Sequence, residues 1–173
     1  METILATDRL VLRPLTPADA PQVQRLVAAR EVAGATADIP FPFEAGMAAA
    51  WIGSIDPSHQ RVFAITSGGT LVGSIGLHRD EANAQAELGY WLGLQHWGKG
   101  YATEAGRAVI RRGFLDLGLR RIWASHLGRN PASGHVLEKL GMRHEGTLRR
   151  HVLRFGVPED LVHWGLLREE WRP

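Results

Sequence analysis

Gln95-His96-Trp97-Gly98-Lys99-Gly100-Tyr101-Ala102-Thr103 lies between an apolar run, 87–92, that reads as a strand and an amphipathic run that reads as a helix beginning near Ala102. A loop entering a helix leaves first-turn N–H groups without intrahelical acceptors at the positive end of the helix dipole, and such a place is an anion cradle. Two glycines bracket Lys99, so the main chain can approach a phosphate without Cβ interference, and the predicted guest is a pyrophosphate. A P-loop needs a longer glycine spacing and Ser or Thr after its lysine, whereas Gly100 follows Lys99. A dinucleotide fingerprint puts its first glycine directly after the strand; here residues 93–97 intervene, and the next strand ends in Ser125-His126 rather than an acid. An ordinary glycine turn is the remaining local alternative.

Upstream of the loop, 62–66 and 71–78 are apolar runs joined by Ser67-Gly68-Gly69, a hairpin signal, and polar residues 79–83 turn the chain into 87–92. Three successive antiparallel strands therefore lead into the loop, where a Rossmann half would alternate strand and helix. Nearer the start, 9–15 alternates apolar and charged residues as a first strand. Thr16-Pro17-Ala18-Asp19 announces a helix with Thr16 accepting as N-cap, and Val23, Leu26, Val27 and Arg30 continue it. Residues 34–43, with Pro40 and Pro42, read as a loop whose Phe41 and Phe43, with Trp51 of a helix over 44–52, either line an acceptor pocket or cover the core edge.

Downstream, Ala105, Ala108, Val109, Phe114 and Leu117 keep helical spacing to Gly118, so the cradle heads a genuine helix. Residues 121–125 read as a strand, and Asn130-Pro131-Ala132-Ser133 opens a helix that Gly141 stops. Residues 143–154 and 160–167 form a long hairpin turning at Gly156-Val157-Pro158.

The 173 residues show no compositional break and are expected to form one domain, 1–173. A net charge of +2 gives no nucleic-acid footprint, and nucleic acid is not an expected partner. No cysteine is present, which excludes a disulfide, a thiolate zinc site and a cysteine nucleophile; eight scattered histidines suggest no metal. The start carries Glu2 and Asp8 and no long apolar run, and no stretch reaches membrane-spanning length, so a cytoplasmic protein without a membrane partner is expected.

Several stretches together resemble the GNAT acetyltransferase superfamily, in particular its branch similar to the ribosomal-protein N-terminal acetyltransferases RimJ and RimL. Gln95, Gly98 and Gly100 match in register the acyl-coenzyme A signature Gln/Arg-x-x-Gly-x-Gly/Ala. The other marks are Thr7-Asp8-Arg9-Leu10-x-Leu12-Arg13, the continuation to Glu104, Asn130-x-x-Ser133, Leu137-Glu138-Lys139-Leu140-Gly141-Met142 and Leu166-Leu167-Arg168-Glu169-Glu170-Trp171. The resemblance implies an α/β fold of the α+β type: a mixed, mostly antiparallel twisted sheet splayed between its fourth and fifth strands, flanked by helices, with acetyl-CoA in the opening. On this chain the splay falls between 87–92 and 121–125. The pantetheine arm would pair with the strand end near Trp91 and Leu92, the pyrophosphate would rest on amides of Gln95, Trp97, Gly98, Lys99, Gly100, Tyr101, Ala102 and Thr103, and Asn130 would bond the arm from the other side or cap its helix.

Transfer to an amine requires the neutral amine, and an alkylammonium is mostly protonated at pH 7. Glu87 is the chosen base, directly or through water; the alternative is a surface carboxylate, and His78, Glu145 and His151 are further candidates. Many family members use a tyrosine four residues after the position of Ser133 as acid. Leu137 stands there, leaving Ser133 as the candidate acid, as the RimJ/RimL resemblance also implies; a serine hydroxyl is a poor acid, so the alternatives are a hydrogen bond to sulfur alone or a helix cap. A backbone N–H near Leu92 would hold the oxyanion. Arg143, Arg149, Arg150, His151 and Arg154 are read mainly as an exposed basic face, or as a lure for an acidic acceptor or the coenzyme's ribose phosphate. The expected reaction is N-acetylation of a protein N-terminal amine by a monomer or homodimer. Alternatives are a small-amine acetyltransferase and a catalytically silent acyl-CoA-binding module.

Overall fold

The computed structural model describes residues 4–173; Met1, Glu2 and Thr3 lie outside the described residues. In chain order the elements are β1 (Leu5–Ala6), β2 (Val11–Pro14), α1 (Ala20–Val27), α2 (Arg30–Ala35), α3 (Met47–Gly53), β3 (Gln60–Ser67), β4 (Thr70–Asp80) and β5 (Gln85–Leu92). There follow α4 (Tyr101–Leu115), β6 (Arg121–Leu127), α5 (Pro131–Lys139), β7 (Arg143–Arg154) and β8 (Val157–Leu167). The strands form one sheet in the order β1-β2-β3-β4-β5-β6-β8-β7. Neighbours are antiparallel except β5 and β6, which run parallel and are joined by the long crossover through α4. The short β1 makes the splayed pair the fifth and sixth strands rather than the fourth and fifth.

Two apolar layers hold the sheet. Ala102, Ala105, Val109, Ile110 and Phe114 recur at helical spacing along one side of α4 and pack on Ile75, Leu77, Leu88 and Ile122. Leu137 and Leu140 of α5 and its C-terminal end join the same cluster. On the opposite face Val23, Leu26 and Val27 of α1 and Ala48 and Ile52 of α3 cover Ala64 and Leu71, with Trp91 at the margin.

Several local expectations are corrected. Thr16 is the N-cap of a 3-10 turn, Pro17–Asp19, ahead of α1 rather than of α1 itself; it forms a capping box with Asp19, to which its N–H and hydroxyl donate at 2.8 and 3.0 Å. Arg30 does not continue α1; it begins α2, which extends to Ala35, so the loop starts two residues later than expected from Gly34. The reason is tertiary. The last carbonyls of α2 are bonded by side chains from the far half of the sheet: Ala33 O by Arg154 at 2.6 Å, Gly34 O by Arg129 at 2.7 Å and Ala35 O by Asn130 at 3.0 Å. The long hairpin turns at Phe155-Gly156, not at Gly156-Val157-Pro158, since Arg154 pairs with Val157 and Leu153 with Pro158. Both turn residues have positive φ, 52° and 79°. Phe155 is held in that posture by an edge contact with Phe41 at 5.7 Å and by the Arg154 guanidinium 4.9 Å above its ring.

Candidate active site

β5 and β6 share only three register pairs, Gln85 with Arg121, Ala86 with Ile122 and Glu87 with Trp123. Past them the strands part, and a cavity of about 400 Å³ fills the gap. One limb of the V supplies Tyr90, Trp91 and Leu92, the other supplies Asn130 and Ser133 at the start of α5, and Val32, Ala35 and Thr36 close it from α2. The edge of β5 beyond Glu87 has no strand partner on this side, which is the kind of edge an extended amide-bearing ligand can pair with.

At the mouth lie Trp97, Gly98, Gly100, Tyr101, Ala102 and Thr103. Gly98 and Gly100 sit at φ 71° and 79°, a conformation that any Cβ would strain. Gly100 is the N-cap of α4 and brings no side-chain cap; among the described residues no protein group accepts from the N–H groups of residues 98–103, the first cap bond being Glu104 N to Gly100 O at 3.0 Å. A helix head with its amides unoccupied, opening on a cavity, fits a diphosphate.

Arg9 stiffens this loop from outside, donating to Lys99 O at 2.9 Å and to Glu104 at 2.7 Å, while the Thr7 hydroxyl donates to Glu104 at 2.6 Å. Burial works against the charge on Glu104, but these donors together hold its pKa below the usual value, so the acid at the helix head is balanced and does not repel an anion. The opening Thr7-x-Arg9 and the loop's Glu104 are thus one contact seen twice in the sequence.

Inside the V, the Tyr90 hydroxyl lies 2.6 Å from Ser133 Oγ, a bond from one parted limb to the other. Burial pushes Tyr90 up to about 12, the bond to Ser133 opposing, so the phenol stays protonated at neutral pH. Asn130 Oδ1 accepts from Ser133 N at 3.3 Å while its amide holds Ala35 O, so the helix cap also ties α5 to α2.

Glu87 sits at the apex, in the last register pair before the strands separate, and is half-buried. Alternation along β5 puts it on the face of Trp91, opposite the face of Leu88 and Tyr90 that α4 covers. Burial and then the nearby charge of Asp38 raise its pKa above the usual carboxylate value. Of the other acid-base candidates, Glu145 is paired with Arg121, and His78 is exposed with Gln60 at 3.4 Å. The basic run in the last hairpin does not form one face: Arg143 pairs with Glu170 at 2.7 Å, and Arg154 points inward to α2.

The structure therefore brings together Trp91, Leu92, Trp97, Gly98, Gly100, Tyr101, Ala102, Thr103, Asn130 and Ser133 around one cavity. Gln95 and Lys99 are exposed beside it and Glu87 stands at its apex, none of the three lining it. Trp97 turns its indole N–H back onto Leu92 O at 2.8 Å, occupying the carbonyl that ends β5. Tyr90 and the α2 residues were not anticipated. The signal for Tyr90 was its position two residues before Leu92, on the same strand face.

A family model described as Acetyltransferase (GNAT) domain matches residues 9–143. YdaF of Bacillus subtilis (strain 168), named provisionally as a ribosomal N-acetyltransferase, is 38% identical over 104 residues, 60% of this chain and 57% of that protein. The matched stretch spans little more than half the length of the first curated relatives. Among solved structures, an acetyltransferase (GNAT family) from Bacillus anthracis superposes with TM-score 0.86 at 25% identity, covering 97% of this chain and 100% of that one. RimL, a ribosomal L7/L12 alpha-N-protein acetyltransferase solved with coenzyme A, gives TM-score 0.88 at 16% identity over 95% of this chain and 98% of that one, a likeness of fold.

Proposed function

The chain belongs to the GNAT acetyltransferase family, and from that premise we propose that it transfers the acetyl group of acetyl-CoA directly to a primary amine, with a protein N-terminus as the favoured acceptor. The observation that carries this reading is the uncapped head of α4 opening on the gap between β5 and β6. Residues 98–103 hold the diphosphate through their amides, and the free edge of β5 at Trp91 and Leu92 lines up the pantetheine arm. We take residues 1–173 as one such domain, acting in the cytoplasm as a monomer or homodimer. Among the described residues no helix is long and apolar enough to cross a membrane, and no cluster of metal-ligand side chains occurs.

Glu87 removes a proton from the acceptor ammonium or the attacking amine, directly or through one water. Its raised pKa suits it to that task, because a stronger base takes the proton more readily. The neutral nitrogen adds to the thioester carbon, and a backbone N–H near Leu92 holds the oxyanion. On collapse the carbon–sulfur electron pair leaves with sulfur, a nitrogen that entered as ammonium gives its second proton to solvent, and the Ser133 hydroxyl donates a hydrogen bond to the sulfur. Serine keeps its proton, being a far weaker acid than a thiol; coenzyme A departs as thiolate and takes a proton from solvent.

Thiol release measured with a panel of peptides and small amines tests the reading. Turnover with peptide N-termini supports it. Turnover confined to free amino acids, polyamines or antibiotics replaces the acceptor, and tight coenzyme binding without any turnover replaces the enzyme by an acyl-CoA-binding module.

A further inference from the structure

We propose that Tyr90 is a positioning residue for Ser133, its hydroxyl donating to Ser133 Oγ across the parted strands and so committing the serine's own hydrogen to the cavity. The proposal rests on the acetyl-transfer reading above and deepens it.

The argument is an account of hydrogens. The Tyr90 hydroxyl is part-buried on the cavity wall, and a phenolic O–H withdrawn from water without an acceptor carries a desolvation cost. Two acceptors lie in reach of Tyr90 among the described residues: Ser133 Oγ at 2.6 Å and Ser133 O at 3.4 Å. The first is a short O–H···O distance and the second is at the edge of the range, so the proton points at Oγ. Ser133 Oγ has no other partner among the described residues, and its own hydrogen is left over. Ser133 lines the cavity, so that hydrogen is directed into the space where the acetyl-transfer reading puts the thioester sulfur.

The pair also answers a chemical difficulty. A lone serine rotor in an open cavity wastes most of its orientations. Accepting from Tyr90 fixes the rotor and polarises the serine O–H, making it a better donor to the sulfur as negative charge builds there. No proton leaves Tyr90 or Ser133 in this scheme. The electron pair of the C–S bond goes to sulfur, and the amine proton goes to Glu87. The location follows from the topology: Tyr90 belongs to β5 and Ser133 to the helix after β6, and the two meet three residues beyond the last β5–β6 pair.

The test uses Tyr90→Phe, Ser133→Ala and the double variant in the whole chain, with thiol release for turnover, calorimetry for acetyl-CoA affinity and thermal unfolding as a check on folding. Tyr90→Phe is expected to lower kcat roughly threefold to tenfold, with the Kd for acetyl-CoA held within about twofold. Added to Ser133→Ala, it is expected to cost nothing further. Multiplicative losses in the double variant, an unchanged kcat in Tyr90→Phe, or a loss explained by a weaker Kd would each overturn the role of Tyr90 alone. Absence of turnover in the unmodified protein with every amine, coenzyme uptake intact, would instead overturn the transfer reading and this proposal with it.

Discussion

Asp19 shows how much one side chain near the start of the chain is asked to do. It accepts from both terminal guanidinium nitrogens of Arg13, at 2.8 and 2.6 Å, and from the Thr16 N–H and hydroxyl, at 2.8 and 3.0 Å. The hydrogen bonds from Arg13 lead in depressing its pKa, with burial opposing and Thr16 assisting. A carboxylate with a depressed folded pKa contributes stability that is complete above its unfolded value and is lost as pH falls through the folded one. Asp19→Asn is therefore expected to cost about 2 kcal/mol at pH 7, lowering Tm by roughly 4–8 °C, with a smaller cost in acid; a denaturant series from pH 7 to pH 3 checks both. Glu87 shifts the opposite way. Burial and Asp38 raise it, so the acid limb of the rate profile should lie above the ordinary carboxylate range. Glu87→Gln is expected to remove that limb and lower turnover by about two to four orders of magnitude, more at neutral than at high pH, where the acceptor is already unprotonated. Asp38→Asn should move the limb to lower pH. An unchanged profile in Glu87→Gln would remove Glu87 from the role.

At the scale of elements, the head of α4 and the body of α2 depend on different kinds of information. The α4 head was legible in the sequence because its causes are local: two glycines at positive φ and an apolar stripe of period 3.6 behind them. Gly100→Ala places a Cβ at φ 79° and 3.3 Å from the Arg9 guanidinium. The backbone term alone is about 1–2 kcal/mol, so acetyl-CoA affinity should weaken roughly tenfold as the amides turn away. Gly53→Ala, in a helix with open space around it, should leave affinity unchanged. Calorimetry on the two variants decides it. α2 is absent from the sequence reading as a separate helix because its end is made by Arg129, Asn130 and Arg154, about a hundred positions away, which no window of local sequence can report. Arg154→Met should speed hydrogen exchange across 30–41 while leaving the amides of α4 protected as before. The turn at Phe155-Gly156 was missed for a related reason: a proline and a glycine drew the turn toward themselves, whereas aromatic and cationic neighbours hold a phenylalanine in the left-handed region.

For the whole molecule, the order of elements from β3 onward was readable before any coordinates. Three antiparallel strands, a glycine loop, a helix and then a parallel return leave one parallel pair among the described strands, β5 and β6, and that pair opens. Strand alternation places Glu87 and Leu88 on opposite faces of β5. What periodicity could not give was the meeting of Tyr90 with Ser133, since it depends on how far the limbs spread and how α5 leans into the gap. The same architecture ties both limbs together outside the sheet, through Tyr90 to α5 and through the three side chains that grip α2, so the cavity is a built opening rather than a loose seam. A ligand filling it binds the native state and should raise Tm, by the equivalent of about 2.7 kcal/mol at a hundred times Kd.

The most direct test of the central claim, that bare amides at the head of α4 hold the diphosphate of a thioester donor, is calorimetric titration of the folded chain with coenzyme A and with pantetheine, which lacks the diphosphate. One-to-one uptake of coenzyme A, with pantetheine weaker by roughly a hundredfold, is the predicted result. No uptake of coenzyme A, or equal affinity for the two, would contradict it.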